Sequence, residues 1–326
     1  MNSFGRIFRI SIFGESHGPL VGITIDGCPA GIPLKAEDFL ADLNRRKAGA
    51  SGTTPRKEDD TPSIVSGCFN DHTTGAPLTI IFENNNTRST DYDAIKNTPR
   101  PGHADFVPNK KHSGFNDHRG GGHSSGRLTV AIVAAGIVAK KILLDINISA
   151  RLIEAGGNAD IEAAIQKAVD QQDSIGGLIQ CTATGIPVGL GEPFFDSVES
   201  AISHIVFSIP AVKGIEFGAG FAAAKMTGSQ HNDAIVDATG KTATNNSGGI
   251  NGGITNGNEL LFKVAIKPTS STPQEQQTWS NATQQVESFT VKGRHDLCIA
   301  LRAPVVVEAA TAIALADLLL IKKALS

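Results

Sequence analysis

The plainest pattern in the chain is ELLFKVAIK (259–267), which alternates strictly. Leu260, Phe262, Val264 and Ile266 fall on one face and Lys263 and Lys267 on the other, the period of a half-buried strand. RIFRISIF and VGITID near the N-terminus are rich in β-branched and aromatic residues and predict two further strands, and PLTIIF (77–82) predicts another. Helical spacing is as clear. Ala36, Phe39, Leu40 and Leu43 recur at i, i+3, i+4 and i+7, closed by Arg45, Arg46, Lys47 and then Gly49. Ile161, Ala164, Ile165 and Ala168 mark a second helix, and Val198, Ala201, Ile202 and Ile205 a third. The stretch 127–144 is apolar nearly all round and predicts a buried helix. A last one starts at about Pro304, with proline in its first turn.

Strands and helices interleave, but alternation on the strands implies sheets with one packed face. The expectation is α+β with antiparallel sheets, not a doubly wound parallel sheet. The 326 residues can bury a sizeable core, and 40% of them are hydrophobic against 19% charged, so a disordered chain is excluded. A net charge of −3 argues against nucleic acid as a partner. Cys28, Cys68, Cys181 and Cys298 lie far apart with no metal-ligand spacing, which fits a reducing compartment and excludes structural zinc. The first residues lack the apolar run of a secretory signal. The segment 305–321, interrupted by Glu308 and Asp317, reads as too polar to span a membrane. A cytoplasmic protein is expected.

Candidate chemistry sits in the polar, glycine-rich stretches. FGESHGPL (13–20) contains G-x-S-x-G, the nucleophile elbow of serine hydrolases, which requires a helix directly after the serine. Pro19 and a strand follow instead, so Ser16 fails as a nucleophile and the turn offers His17, with Ser16 as a hydrogen-bonding neighbour. RPGHADF (100–106) sets His103 beside Arg100 within a long aperiodic stretch, 83–122, of the kind that is functional or disordered. DHRGGGHSSGRLT (117–129) leads His123, Ser124, Ser125 and Arg127 into the buried helix. The serines are helix-capping types and a helix start favours an anion. Its spacing matches no dinucleotide or P-loop fingerprint. KPTSST offers Lys267, Thr269, Ser270 and Ser271 to a phosphate, and GRHDL groups Arg294, His295 and Asp296. With Arg45, Arg46 and Arg56, these cations concentrate in or beside the candidate loops of a net-acidic chain, the mark of a focused anion site.

GESHG, RPGHADF, RGGGHSSGR, GLGEPFFD, SIPAVKGIEFGAGF, NNSGGINGGITNG, KPTSS and GRHD occur in that order along nearly the whole chain. Together they resemble the chorismate synthase family. The resemblance implies one domain over 1–326, a β-α-β sandwich of two antiparallel sheets with helices between and around them, and a homotetramer. It implies a lyase of the shikimate pathway that converts 5-enolpyruvylshikimate 3-phosphate to chorismate by 1,4-anti elimination of phosphate and a ring proton. Reduced FMN is required without net redox change, and some members reduce it with NADPH. Carried over by motif, His17 and His103 are catalytic, one protonating the leaving phosphate and the other keeping the flavin correctly protonated, while Asp296 assists proton removal. His123, Ser124, Ser125, Pro210, Ala211, Gly252, Lys267, Thr269, Ser270, Ser271 and Arg294 line the FMN, and Arg46, Arg100 and Arg127 hold substrate anions beside Ser16.

The chain also departs from the family's commoner GGGRSSARET. His123 stands for an arginine and Leu128 for a glutamate, Gly52 falls near the place of another arginine, and a segment is missing between Ile153 and Asp160. These changes motivate a second reading, a non-catalytic anion- or flavin-binding protein on the same scaffold. The retained His17, His103 and Asp296 favour the enzyme.

Overall fold

Two antiparallel sheets flank a pair of packed helices. The computed structural model describes residues 2–49, 52–54, 59–85, 97–291 and 295–325. The first sheet contains β1 (Ser3–Phe4), β2 (Arg9–Gly14), β3 (Leu20–Asp26), β4 (Ser63–Ser66) and β5 (Leu78–Glu83), in the order β1-β2-β3-β5-β4. The second contains β6 (Asn147–Ala155), β7 (Gly177–Thr184), β8 (Val212–Phe217) and β9 (Leu260–Ile266), in the order β8-β9-β7-β6. The helices are α1 (Leu40–Arg46), α2 (Phe106–Lys111), α3 (Thr129–Ile142), α4 (Ile161–Gln171), α5 (Val198–Val206) and α6 (Pro304–Leu325). Helix α3 lies on the first sheet, α6 on the second, and the two pack on each other with α5 alongside α6. The α+β expectation, with antiparallel sheets and helices between them, is met.

The predicted periodicities explain most of this packing. On β9 the four alternating apolar residues are buried and the intervening ones half-buried. Buried faces of α4 (Ala164, Ile165, Ala168) and α5 (Val198, Ile202, Ile205) match their spacing, and Asp160 and Ser197 cap these helices by accepting from the N–H groups of Ala163 and Ser200. The contact between α3 and α6 requires Gly136. A Cβ there would lie 2.5 Å from Ala309 Cα, so any side chain would force the helices apart.

Two expectations need correction. The Ala36–Leu43 pattern is not one α-helix: it begins as a 3-10 turn over Ala36–Phe39 before α1, and only Phe39 and Leu43 are buried while Ala36 and Leu40 are exposed. The segment 305–321 is not too polar for a membrane. By length and composition α6 qualifies as a span, but 78% of its most apolar stretch is buried inside the protein, as a core helix. The two carboxylates that interrupt it anchor it. Buried Glu308 accepts from Arg45 Nη1 and Nη2 at 2.7 Å each and from the Ala150 N–H on β6 at 2.8 Å. Asp317 accepts from the backbone N–H groups of Arg6, Ile7 and Phe8 between β1 and β2, at 2.8–3.1 Å.

Candidate active site

A cavity of about 890 Å³ opens where the turn after β2, the loops 100–104 and 120–127, the α5–β8 junction, the loop after β9 and the segment before α6 converge. Among the described residues it is lined by seven lysines and arginines (Arg46, Lys47, Arg100, Arg127, Lys213, Lys267, Arg302) against two carboxylates, Asp60 and Asp296. In a chain of net charge −3 this concentrates positive potential at one place.

His17 and His103 meet across the glycine loop. Gly14, with φ +94°, ends β2 and turns the chain so that Ser16 and His17, both buried, face inward. Gly120, Gly121 and Gly122 all have left-handed φ (61°, 84° and 55°). A Cβ on Gly120 would stand 2.7 Å from His17 Nε2 and 2.9 Å from Ser16 Oγ, and one on Gly121 would stand 3.3 Å from His103 Cε1. Adjacent Cα atoms are about 3.8 Å apart, so successive residues of one loop touch the two imidazoles. The loop is clasped to the end of β2: Ser16 N–H donates to Gly122 O at 3.1 Å, and His123 Nδ1–H donates to Gly14 O at 2.7 Å. Ser125 then accepts from Arg127 N–H and caps the short turn entering α3, as its residue type predicted.

Each cation has its own setting. Arg46 donates to Asp60 Oδ2 at 2.9 Å, to Thr129 Oγ1 at 3.0 Å and to the Arg127 carbonyl at 3.1 Å. Arg127 pairs with the other oxygen of Asp60 and donates to Asn84 Oδ1 at 3.1 Å. Buried Asp60 thus bridges Arg46 and Arg127, two of the three arginines expected to hold substrate. Arg100 forms a bidentate pair with buried Asp105 through Nε and Nη2, both 2.8 Å, and donates to Ser271 Oγ at 3.0 Å. Lys267 Nζ donates to Gly102 O at 2.6 Å and Ser270 Oγ at 2.8 Å. Burial, and then the charge of Lys213, lowers the Lys267 ammonium below the ordinary lysine range. Asp296 accepts from Thr54 N–H at 2.9 Å and from Arg302 Nη1 at 3.1 Å.

The cavity therefore brings together His17, His103, Asp296, His123, Ser124, Ser125, Pro210, Ala211, Lys267, Thr269, Ser270, Ser271, Arg46, Arg100, Arg127 and Ser16. Ala211 adopts a left-handed φ of 72°, unusual for a residue with a Cβ, and its carbonyl accepts from Lys267 N–H at 2.9 Å. Gly252 is elsewhere, in the turn of the hairpin 250–255, and does not line this cavity. Arg294 and Arg56 lie outside the described residues. Gly52, with φ +84°, accepts through its carbonyl from Leu297 and Cys298 N–H, and the space beside it is filled by Ile165 and Leu301. Sequence reasoning missed Asp60, Asp105, Asn84, Lys213 and Arg302. Only Asp105 carried a local signal, two residues beyond His103 in the same short loop.

Histidines facing a strongly cationic cavity are the equipment of an acid–base enzyme for an anionic substrate. The family model for chorismate synthase matches residues 8–320. The chain is 66% identical over 324 residues to the chorismate synthase of Chitinophaga pinensis, covering 99% of this chain and 98% of that protein. It is 43% identical over 351 aligned positions to that of Dehalococcoides mccartyi strain BAV1, covering 98% and 96%. A crystal structure of chorismate synthase superposes with a TM-score of 0.75 at 27% identity, over 98% of this chain and 93% of the other. This chain belongs to the chorismate synthase family.

Proposed function

We propose that this cavity is where 5-enolpyruvylshikimate 3-phosphate loses phosphate and a ring proton to give chorismate, with His17 and His103 as its proton-transfer groups and reduced FMN as cofactor. Family membership makes the chain a carbon–oxygen lyase of the shikimate pathway and implies a flavin. The residue roles are our reading. The observation that carries it is the glycine loop that touches both imidazoles from successive residues, inside a cavity dominated by cations.

The residues fit a flavin. Lys267 is a desolvated ammonium beside a second lysine, and the buried Thr269 Oγ1 has no hydrogen-bond partner among the described residues. Lys267, Thr269 and Ser270 would hold a phosphate, Ser124 and Ser125 would line it, and Pro210 and Ala211 would wall a flat ring. When bound, reduced FMN supplies an electron-rich ring beside the substrate. His17 holds a proton at the cavity face for the departing phosphate. The surrounding cations stabilise charge as it develops there. Asp296, fixed by Thr54 and Arg302, assists removal of the ring proton. The same reading carries a homotetramer in the cytoplasm, with neither nucleic acid nor membrane as partner; light scattering on purified protein checks the assembly.

An anaerobic assay with the substrate and chemically reduced FMN tests the proposal. Absence of chorismate from folded, flavin-bound protein would sink it. His17→Ala and His103→Ala should each lower kcat by roughly 10²-fold or more, the scale of general acid–base catalysis. A near-normal rate removes that residue from the chemistry.

A further inference from the structure

Behind His103, away from the cavity, lies a buried carboxylate. Asp105 Oδ1 is 2.6 Å from His103 Nδ1 and accepts from Arg100 Nη2 at 2.8 Å. Its Oδ2 accepts from Arg100 Nε at 2.8 Å and from the Arg100 backbone N–H at 3.1 Å. Arg100 Nη1 is turned to Ser271, so each of its three side-chain nitrogens has an acceptor from the protein. Arg100 Nη2 also lies 3.1 Å from His103 Nδ1. Guanidinium only donates, so this contact competes with the carboxylate for the same ring nitrogen. The shorter distance and the opposite charge decide in favour of Asp105, with the proton on Nδ1 and Arg100 as a bystander to that bond. Burial would raise the Asp105 carboxyl, but hydrogen bonds from Arg100 and His103 override it and hold it well below the usual carboxylate range.

We propose that Asp105 is a positioning residue that fixes His103 as its Nδ1–H tautomer and leaves Nε2 for the cavity, and that Arg100 clamps this carboxylate rather than holding substrate. The catalytic consequence rests on His103 being a proton-transfer group; the tautomer does not. The logic is that of an aspartate behind a catalytic histidine, here supplied within six residues of one loop, 100–105, and tied by Arg100 to the loop after β9.

The test is ¹⁵N NMR of the full chain labelled at histidine, without ligands, at alkaline pH where imidazole is neutral. The His103 signal is assigned by its loss in His103→Gln. The expected spectrum has Nδ1 protonated and Nε2 bare; the opposite tautomer overturns the proposal without any need for a variant at Asp105. In Asp105→Asn the carboxamide can donate to Nδ1, so the tautomer should reverse. kcat should then fall by roughly 10²-fold while KM for the substrate stays within about threefold. An unchanged tautomer in that variant also overturns the proposal. Arg100→Lys loses the fork and should lower kcat about tenfold at nearly constant KM. A KM raised about tenfold with kcat retained would make Arg100 a substrate ligand and refute the clamp. The expected tautomer in a folded, flavin-bound protein that makes no chorismate supports the pairing and tells against the proposed reaction.

Discussion

Substituting Gly120 by alanine isolates what the glycine loop does for His17. The new Cβ would stand 2.7 Å from His17 Nε2 and 2.9 Å from Ser16 Oγ. Carbon needs about 3.5 Å from a heavy atom, so the imidazole must withdraw by about 1 Å. Displacement on that scale costs about 10²-fold in rate when it misplaces a reacting group. The left-handed φ of 61° adds about 1–2 kcal/mol of backbone strain to any L-residue. Gly121→Ala is the matched control. Its φ of 84° brings comparable strain, but its Cβ meets His103 Cε1 at 3.3 Å, which a shift of a few tenths of an ångström relieves. Gly121→Ala should therefore lose about that strain in thermal unfolding, and Gly120→Ala more, because its Cβ also displaces buried His17 and Ser16. In anaerobic turnover with reduced FMN, Gly120→Ala should fall about 10²-fold and Gly121→Ala less than tenfold. Equal kcat values for the two alanines, both folded, would refute the idea that Gly120 exists to make room for His17.

Two further outcomes follow from charges described above. Because the folded chain holds Lys267 below its ordinary value of 10.5, this lysine contributes a rise of stability with pH just below that value, set against the fall from Cys28, Cys181 and Cys298, whose buried thiols keep their protons while those of the unfolded chain ionise. Lys267→Met should remove this contribution and make the net fall of stability with pH steeper, and inorganic phosphate, which favours the ammonium, should do the same in the wild type; thermal unfolding between about pH 8.5 and 10.5 reads both, and an unaltered slope in the variant contradicts the assignment. Asp317→Ala strips the acceptor from three backbone N–H groups and should cost about 3 kcal/mol in chemical denaturation, with kcat of the folded protein unchanged.

Local periodicity made much of the fold legible. Strand β9 and helices α4 and α5 bury the faces that their spacing marks, because each packs one side on the core and leaves the other less buried. Helix α2 escaped notice because Phe106 and Val107 are exposed, so no apolar stripe faces inward. In the site, glycines and histidines announced themselves by clustering, whereas the counter-charges did not. Asp60 lies 14 positions from Arg46 and 67 from Arg127, and only folding brings the three together. The arginines could thus be recognised as cations of the site, but not as members of a buried triad with one shared carboxylate. Helix α6 misled for a related reason: the two charges that seemed to spoil it are the ones whose partners lie on other elements.

In chain order α6 comes after every strand of both sheets. Asp317 reaches back 311 residues to Arg6, and Glu308 reaches 263 residues to Arg45. The contacts that register the core helix are among the least local in the molecule, and closing such loops slows folding. During synthesis both sheets can be complete, with α3 already on the first, while the apolar face of the second sheet that α6 covers still faces water. Exposed apolar surface of that kind favours aggregation, so the interval before α6 docks is the one in which the nascent chain has most to gain from being shielded.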